Sequence, residues 1–209
     1  MTIAFVVAMA VAVGILLFAS KTERKWLERI AKPTAAAIFL AAALASGALG
    51  TAYGIALFVG LCFAALGDVL LLSEDKKMFL AGLVVFLIGH LGYAIAFAMR
   101  GVATSWMLLS VPALGVAIVP ILRWLWPHVD AKMRLPVIAY VAVITSMVAF
   151  AVGTYGRAPD LRVLLGAIGF FLSDLAVARQ RFVQKSFLNR AWGLPLYFFA
   201  QLALALSVA

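Results

Sequence analysis

The chain is a succession of apolar runs, and this confines it to very few folds. Between charged or turn-rich breaks there are eight: residues 3–19, 33–46, 52–72, 79–98, 106–122, 136–154, 161–178 and 191–208. A membrane-spanning helix needs about 20 apolar residues, with about 17 as the lower limit. The pattern predicts an all-α, polytopic membrane helix bundle of about eight transmembrane helices, in a single integral membrane domain over residues 1–209. The second run is short, and its helix is expected to begin upstream, inside "LERIAK". The break "GALGT" after it is weak; one long bent helix there would leave seven spans. Composition points the same way. The chain is 67% hydrophobic and 12% charged, against about half and about a quarter in a soluble domain. No Lys or Arg precedes the first run, so it lacks the positive flank of a signal peptide and reads as a retained helix.

Charge orients the bundle. With the connections numbered in order, the odd ones carry fourteen of the seventeen basic residues, and the even ones only Arg100, Arg157 and Arg162. Basic loops stay cytoplasmic, so both termini are expected outside. The net charge of +9 is then explained by topology and anionic headgroups, without nucleic-acid binding. Cys62 is the single cysteine, so no intrachain disulfide is possible. His90 and His128, the two histidines, lie in different regions. A histidine-built zinc site, which takes three or four ligands, is not expected.

The sequence also repeats. "GLVVFLIGHL" at residues 82–91 aligns without a gap to "GLPLYFFAQL" at 193–202, "FAALGD" aligns with "FFLSD" at the acid, and "KP" at Lys32 is echoed by "RLP" at Arg134. The offsets are 103, 106 and 111 residues from the prolines to the glycines, drifting with loop length. Two four-helix repeats, roughly residues 1–100 and 101–209, would share orientation about an axis along the membrane normal.

Of eight acidic residues only Asp68 and Asp174 are embedded in apolar runs. An Asp at the centre of a membrane helix costs about 2.5–3.5 kcal/mol on insertion scales, and such residues usually face the bundle interior and carry function. Each lies five residues before a boundary, at Ser73 and at Arg179. At about 1.5 Å per residue, that is roughly 7–8 Å inside the cytoplasmic face. The repeat puts them on equivalent helices, where two carboxyl groups facing one another out of water make an acid and base pair. The bland alternative is that each caps a helix end or pairs with Lys76 or Arg179. His90 and Gln201 match in the repeat and read either as site residues or as a buried interhelical hydrogen bond. Tyr93 and Tyr197 are candidates to line a cavity, or to pack. Trp124, Trp126 and Trp192 read as interfacial belt residues. "KTERKWLERIAK" reads as an amphipathic turn on the inner surface, with Lys32 at its end placed to meet a lipid phosphate.

These residues resemble a known family. "GDVLLL", "FLAGLVVFLIGHLGYAIAF", "SD" and "WGLPLYFFAQLALALS" are similar to the bacterial YhhN-like lysoplasmalogenase family, from Lys32 to Ser207. The resemblance is densest in the third, fourth, seventh and eighth runs and carries little signal between about residues 100 and 157. It implies a hydrolase of the bacterial inner membrane. Its substrate would be a lysophospholipid with a vinyl ether, cleaved to a fatty aldehyde and glycerophospho-ethanolamine or -choline. Asp68 and Asp174 would be its catalytic pair; His90, Tyr93, Tyr197, Gln201 and Lys32, read from the sequence itself, are the candidates to surround the substrate, and no cofactor, metal, nucleic acid or protein partner is called for. The chemistry suits the residues. Protonating the outer alkene carbon of a vinyl ether, which a neutral carboxylic acid can do, leaves an oxocarbenium ion. A neighbouring carboxylate stabilises that cation and orients water. Two other classes compete. A proton-coupled transporter would also use embedded acids and repeats, with broken helices near the midplane as its mark. A structural membrane protein would leave both acids unexplained.

Overall fold

The structure is a computed structural model that describes residues 2–209. All regular structure among them is helical: α1 (Thr2–Lys21), α2 (Lys25–Ala45), α3 (Ala52–Leu70), α4 (Lys76–Arg100), α5 (Thr104–Leu125), α6 (Ala131–Arg157), α7 (Leu161–Ala178) and α8 (Phe187–Leu206). Six are long and apolar enough to cross a membrane; α2 and α8 fall outside that set. Length is not the reason, since at 21 and 20 residues each spans about 30 Å. They differ in polarity. The first turns of α2 hold Lys25, Glu28, Arg29 and Lys32, and α8 carries Asn189, Arg190 and Gln201.

Local chemistry sets the boundaries. Side-chain oxygens of Thr51, Asp75, Asp160 and Ser186 accept backbone N–H groups in the first turns of α3, α4, α7 and α8, satisfying donors that have no partner within a helix. The weak "GALGT" break is a true turn. Gly47 takes a left-handed φ of +86°, a 3-10 turn covers Ala48–Gly50, and Thr51 is extended, so α2 and α3 are separate and the count is eight. The inner-surface turn expected at "KTERKWLERIAK" is not present as such. Only residues 22–24 leave helical structure, and Lys25 to Lys32 are the first two turns of α2.

Helix α8 is the hub. It packs on α1, α2, α3 and α7, and its Phe198 and Leu204 are fully buried. The hairpins α3–α4 and α7–α8 have the closest contacts. Glycines permit this, as small residues commonly do between membrane helices: a Cβ on Gly60 would strike the Tyr93 ring and the Gly89 carbonyl, and one on Gly193 would strike Ala176. Packing of α2 on α3 and on α8 is echoed by α6 on α7 and on α4. The echo breaks at the rim, where α1 lies along α8 while α5 has no comparable packing on α4. Leu125 is the one buried residue of α5, and Leu109 and Val116 are 74% and 77% exposed. Such a surface suits lipid, not water.

Candidate active site

A cavity of about 920 Å³ runs into the bundle and reaches both embedded acids. Its lining includes residues of three odd-numbered connections, among them Glu23, Glu74 and Lys185, so it opens at the basic end. One wing is apolar, walled by Ile118 and Ile121 of α5, Val141 and Ile144 of α6 and Phe171 of α7. Charged rim, two carboxyl groups and apolar wing together make an amphipathic pocket of the size that usually holds a small ligand.

Asp68 sits two residues before the end of α3 and is 2% exposed. The Lys32 ammonium is 3.1 Å from its Oδ1 and also donates to the Asp68 carbonyl at 3.2 Å. The Tyr197 hydroxyl donates to Oδ2 at 2.7 Å. A buried carboxylate needs such compensation, since removing an ion from water costs several kcal/mol. Lys32 is held in reach because α2 packs on α3, and Tyr197 because α8 packs on both.

Asp174 lies on α7 and has different company. The Tyr140 hydroxyl of α6 donates to its Oδ2 at 2.7 Å. His90 Nε2 of α4 approaches the same oxygen at 3.6 Å, too far for a normal hydrogen bond. The His90 ring stacks on Phe170, centroids 4.2 Å apart, and Phe170 meets Tyr197 edge-on at 5.3 Å. An aromatic wall thus runs from one acid's neighbour to the other's. A π-helical turn, Arg179–Val183, prolongs α7. Arg179 was the expected boundary, yet it continues the helix, and its guanidinium donates to Asn189 instead of pairing with Asp174.

The two acids therefore have the same scheme of support. Asp68 on α3 is held from α2 (Lys32) and approached from α8 (Tyr197), and Asp174 on α7 is held from α6 (Tyr140) and approached from α4 (His90). Of the expected substrate-side residues, Lys32 and Tyr197 line the cavity. His90, Tyr93 and Gln201 are fully buried and do not. The Tyr93 hydroxyl donates to Gln201 Oε1 at 2.7 Å, tying α4 to α8 behind the acids. Tyr140 was not among the expected residues, because it falls in the middle of the chain where the family resemblance is faint. The signal for it is a polar group within about a turn of Pro136, as Lys32 adjoins the repeat-equivalent Pro33. Neither Lys76 nor Arg179 pairs with an acid of the cavity; Lys32 takes that place at Asp68.

Comparison with known proteins identifies the family. The sequence pattern of the YhhN family matches residues 27–208. The bovine lysoplasmalogenase TMEM86A is 34% identical over 157 residues, covering 72% of this chain and 64% of the relative; the human protein of that name is 33% identical over 159 residues with the same coverage. A lysoplasmalogenase of Mycobacterium bovis is 29% identical over 123 residues, covering 57% of this chain and 45% of the relative. The chain thus spans less than two thirds of the length of these relatives. No solved structure matches it. With most of its length matched, including both acids and every helix that supports them, the chain belongs to the YhhN family.

Proposed function

We propose that the chain is a membrane-embedded hydrolase that cleaves the vinyl ether of lysoplasmalogens to a fatty aldehyde and glycerophospho-ethanolamine or -choline. The observation that carries this reading is the pair of carboxyl groups in one amphipathic cavity. Relatives named lysoplasmalogenases support it. The apolar wing suits one alkyl chain, the basic rim suits a phosphate, and both acids line the same cavity. Asp68 and Asp174 act as the catalytic pair. One donates a proton to the outer alkene carbon. The other stabilises the resulting oxocarbenium and takes a proton from the water that adds, after which the hemiacetal collapses to aldehyde and alcohol. Lys32 and Tyr197 orient the first acid, and Tyr140 the second. The basic end, with the cavity mouth, faces the cytoplasm of a bacterial inner membrane, and both termini face outward. The halves 1–100 and 101–209 are parallel repeats, a reading supported by the shared support scheme of the two acids.

A transporter has less in its favour: α3 and α7 run unbroken through their acids. The test is aldehyde release from lysoplasmenyl-ethanolamine by the purified protein, with a saturated ether lysolipid as control. Cleavage of the vinyl ether alone is expected. Release of no aldehyde, or equal attack on the saturated ether, would overturn the reading.

A further inference from the structure

The two acids are not interchangeable, and the groups around them indicate which one carries the proton. At Asp68 both carboxyl oxygens meet donors, and one of these donors is the Lys32 ammonium. A carboxylate is an acceptor only, so this setting is complete when Asp68 is ionised. At Asp174 no cation is paired with the carboxyl group unless His90 is itself protonated.

The hydrogen bonds of His90 bear on that condition. Its Nδ1 is 2.7 Å from the Phe86 carbonyl oxygen. A carbonyl can only accept, so Nδ1 carries a hydrogen. In a neutral ring this leaves Nε2 as a bare lone pair, because the bond made by one ring nitrogen fixes the tautomer at the other. Nε2 is buried and has no hydrogen-bond partner among the described residues; it faces Asp174 Oδ2 at 3.6 Å. The other polar hydrogen at that oxygen, on Tyr140, is directed to Oδ2 itself. A lone pair facing an ionised carboxylate is repulsive, whereas a lone pair facing a carboxylic acid is an acceptor waiting for its hydrogen.

Resting on the paired-acid reading above, we infer that Asp174 is the proton donor, held protonated against the bare Nε2 of His90, and that Asp68 is the carboxylate of the resting site and the base that takes the water's proton. His90 is then a positioning residue: it acts through Asp174 and does not touch the cavity. The steps balance. The Asp174 proton goes to the outer alkene carbon, the C=C pair forming the new C–H bond while an oxygen lone pair forms the oxocarbenium. Water adds to that cation and gives its proton to Asp68. As the hemiacetal collapses, its hydroxyl proton passes to the departing alcohol oxygen. The proton on Asp68 returns to Asp174 through water, restoring both groups.

The chain has only two histidines, and this makes the assignment directly measurable. Substituting the exposed His128 (His128→Gln) leaves one imidazole for nitrogen-15 NMR of the full chain in bilayers. His90 is expected as a neutral ring with hydrogen on Nδ1 and an unprotonated Nε2 shifted by a hydrogen bond. Asp174→Ala should move the Nε2 signal to the free acceptor position, and Asp68→Ala should leave it in place. A hydrogen on Nε2, as imidazolium or as the other tautomer, overturns the assignment in the unsubstituted site without reference to any variant. Turnover gives a second reading. Gln offers an acceptor oxygen near the place of Nε2, so His90→Gln should lose less than the roughly 10²-fold lower bound of general acid catalysis, while His90→Phe should lose at least that much. His90→Phe with turnover equal to the unsubstituted protein overturns the assignment. Absence of aldehyde from every form, with the expected NMR signals, would overturn the substrate reading and leave the proton placement standing.

Discussion

At the scale of single residues, the two carboxyl groups differ in what their neighbours require of them. Asp68→Asn and Asp174→Asn should each lower aldehyde release by at least about 10²-fold with the fold intact, because Asn keeps the size but neither donates an acidic proton nor carries charge. The double variant should be little worse than either single one, since groups acting on one step are not additive. A folded Asp174→Asn protein with near-full turnover would return Asp174 to a structural role. Lys32→Met is expected to act on stability as well as rate. It leaves a 2% exposed carboxylate without its cation, and breaking a buried pair from one side costs about 3–5 kcal/mol. Thermal unfolding in detergent would show the loss, and Asp68→Asn added to Lys32→Met should recover much of it. The acids themselves were legible in the sequence because a charge in an apolar run is conspicuous. Their partners were less so. Lys32 is one more basic residue in a basic stretch, and Tyr140 is an aromatic in an apolar run; only packing shows that both point at a carboxyl group.

At the scale of helices, the sequence pattern anticipated eight elements, and the turn at Gly47 settled the doubtful boundary. The apolar runs marked the helices well because spanning length is imposed by the bilayer and not by neighbours. What the pattern did not carry was contact. His90 and Gln201 align in the repeat, yet His90 faces Asp174 while Gln201 accepts from Tyr93. The two positions have different partners because the tyrosine beside Gln201 donates to it, whereas the one beside His90, Tyr140, donates to Asp174 instead. The α3–α4 contact gives a test at this scale. Gly60→Val places a branched side chain where the Tyr93 ring and the Gly89 carbonyl already sit. Overpacking of this kind costs about 1–3 kcal/mol. The expected result is a lower unfolding temperature together with reduced activity, since Tyr93 must leave Gln201. An unchanged melting point would mean that the two helices do not approach as described.

For the molecule as a whole, the end opposite the cavity mouth is closed by an ion cluster. Asp160 accepts from Arg100 at 2.8 Å and from Arg162 at 3.0 Å, while Arg100 also donates to the Ser207 carbonyl and Arg162 to the Leu206 carbonyl. Burial pushes the Asp160 carboxyl up, but the hydrogen bonds from Arg162 and Arg100 outweigh it and hold it below the usual range. Its contribution is therefore fully present above the unfolded value of about 4 and is lost as pH falls through the lower native one. Asp160→Asn should cost about 1–3 kcal/mol at neutral pH, the scale of charged hydrogen bonds lost, and that difference should shrink in acid. Topology is tested separately: reporters fused at Lys185 and at Ala209 should lie on opposite sides of the membrane, and both on one side would end the eight-span arrangement. The crossed support of the acids reaches further still. If the chain is severed between α4 and α5, each fragment keeps one aspartate and loses one of its attendants, since Tyr197 belongs to the second fragment and His90 to the first. Neither piece can be competent by itself, and co-expression should restore activity only when both associate.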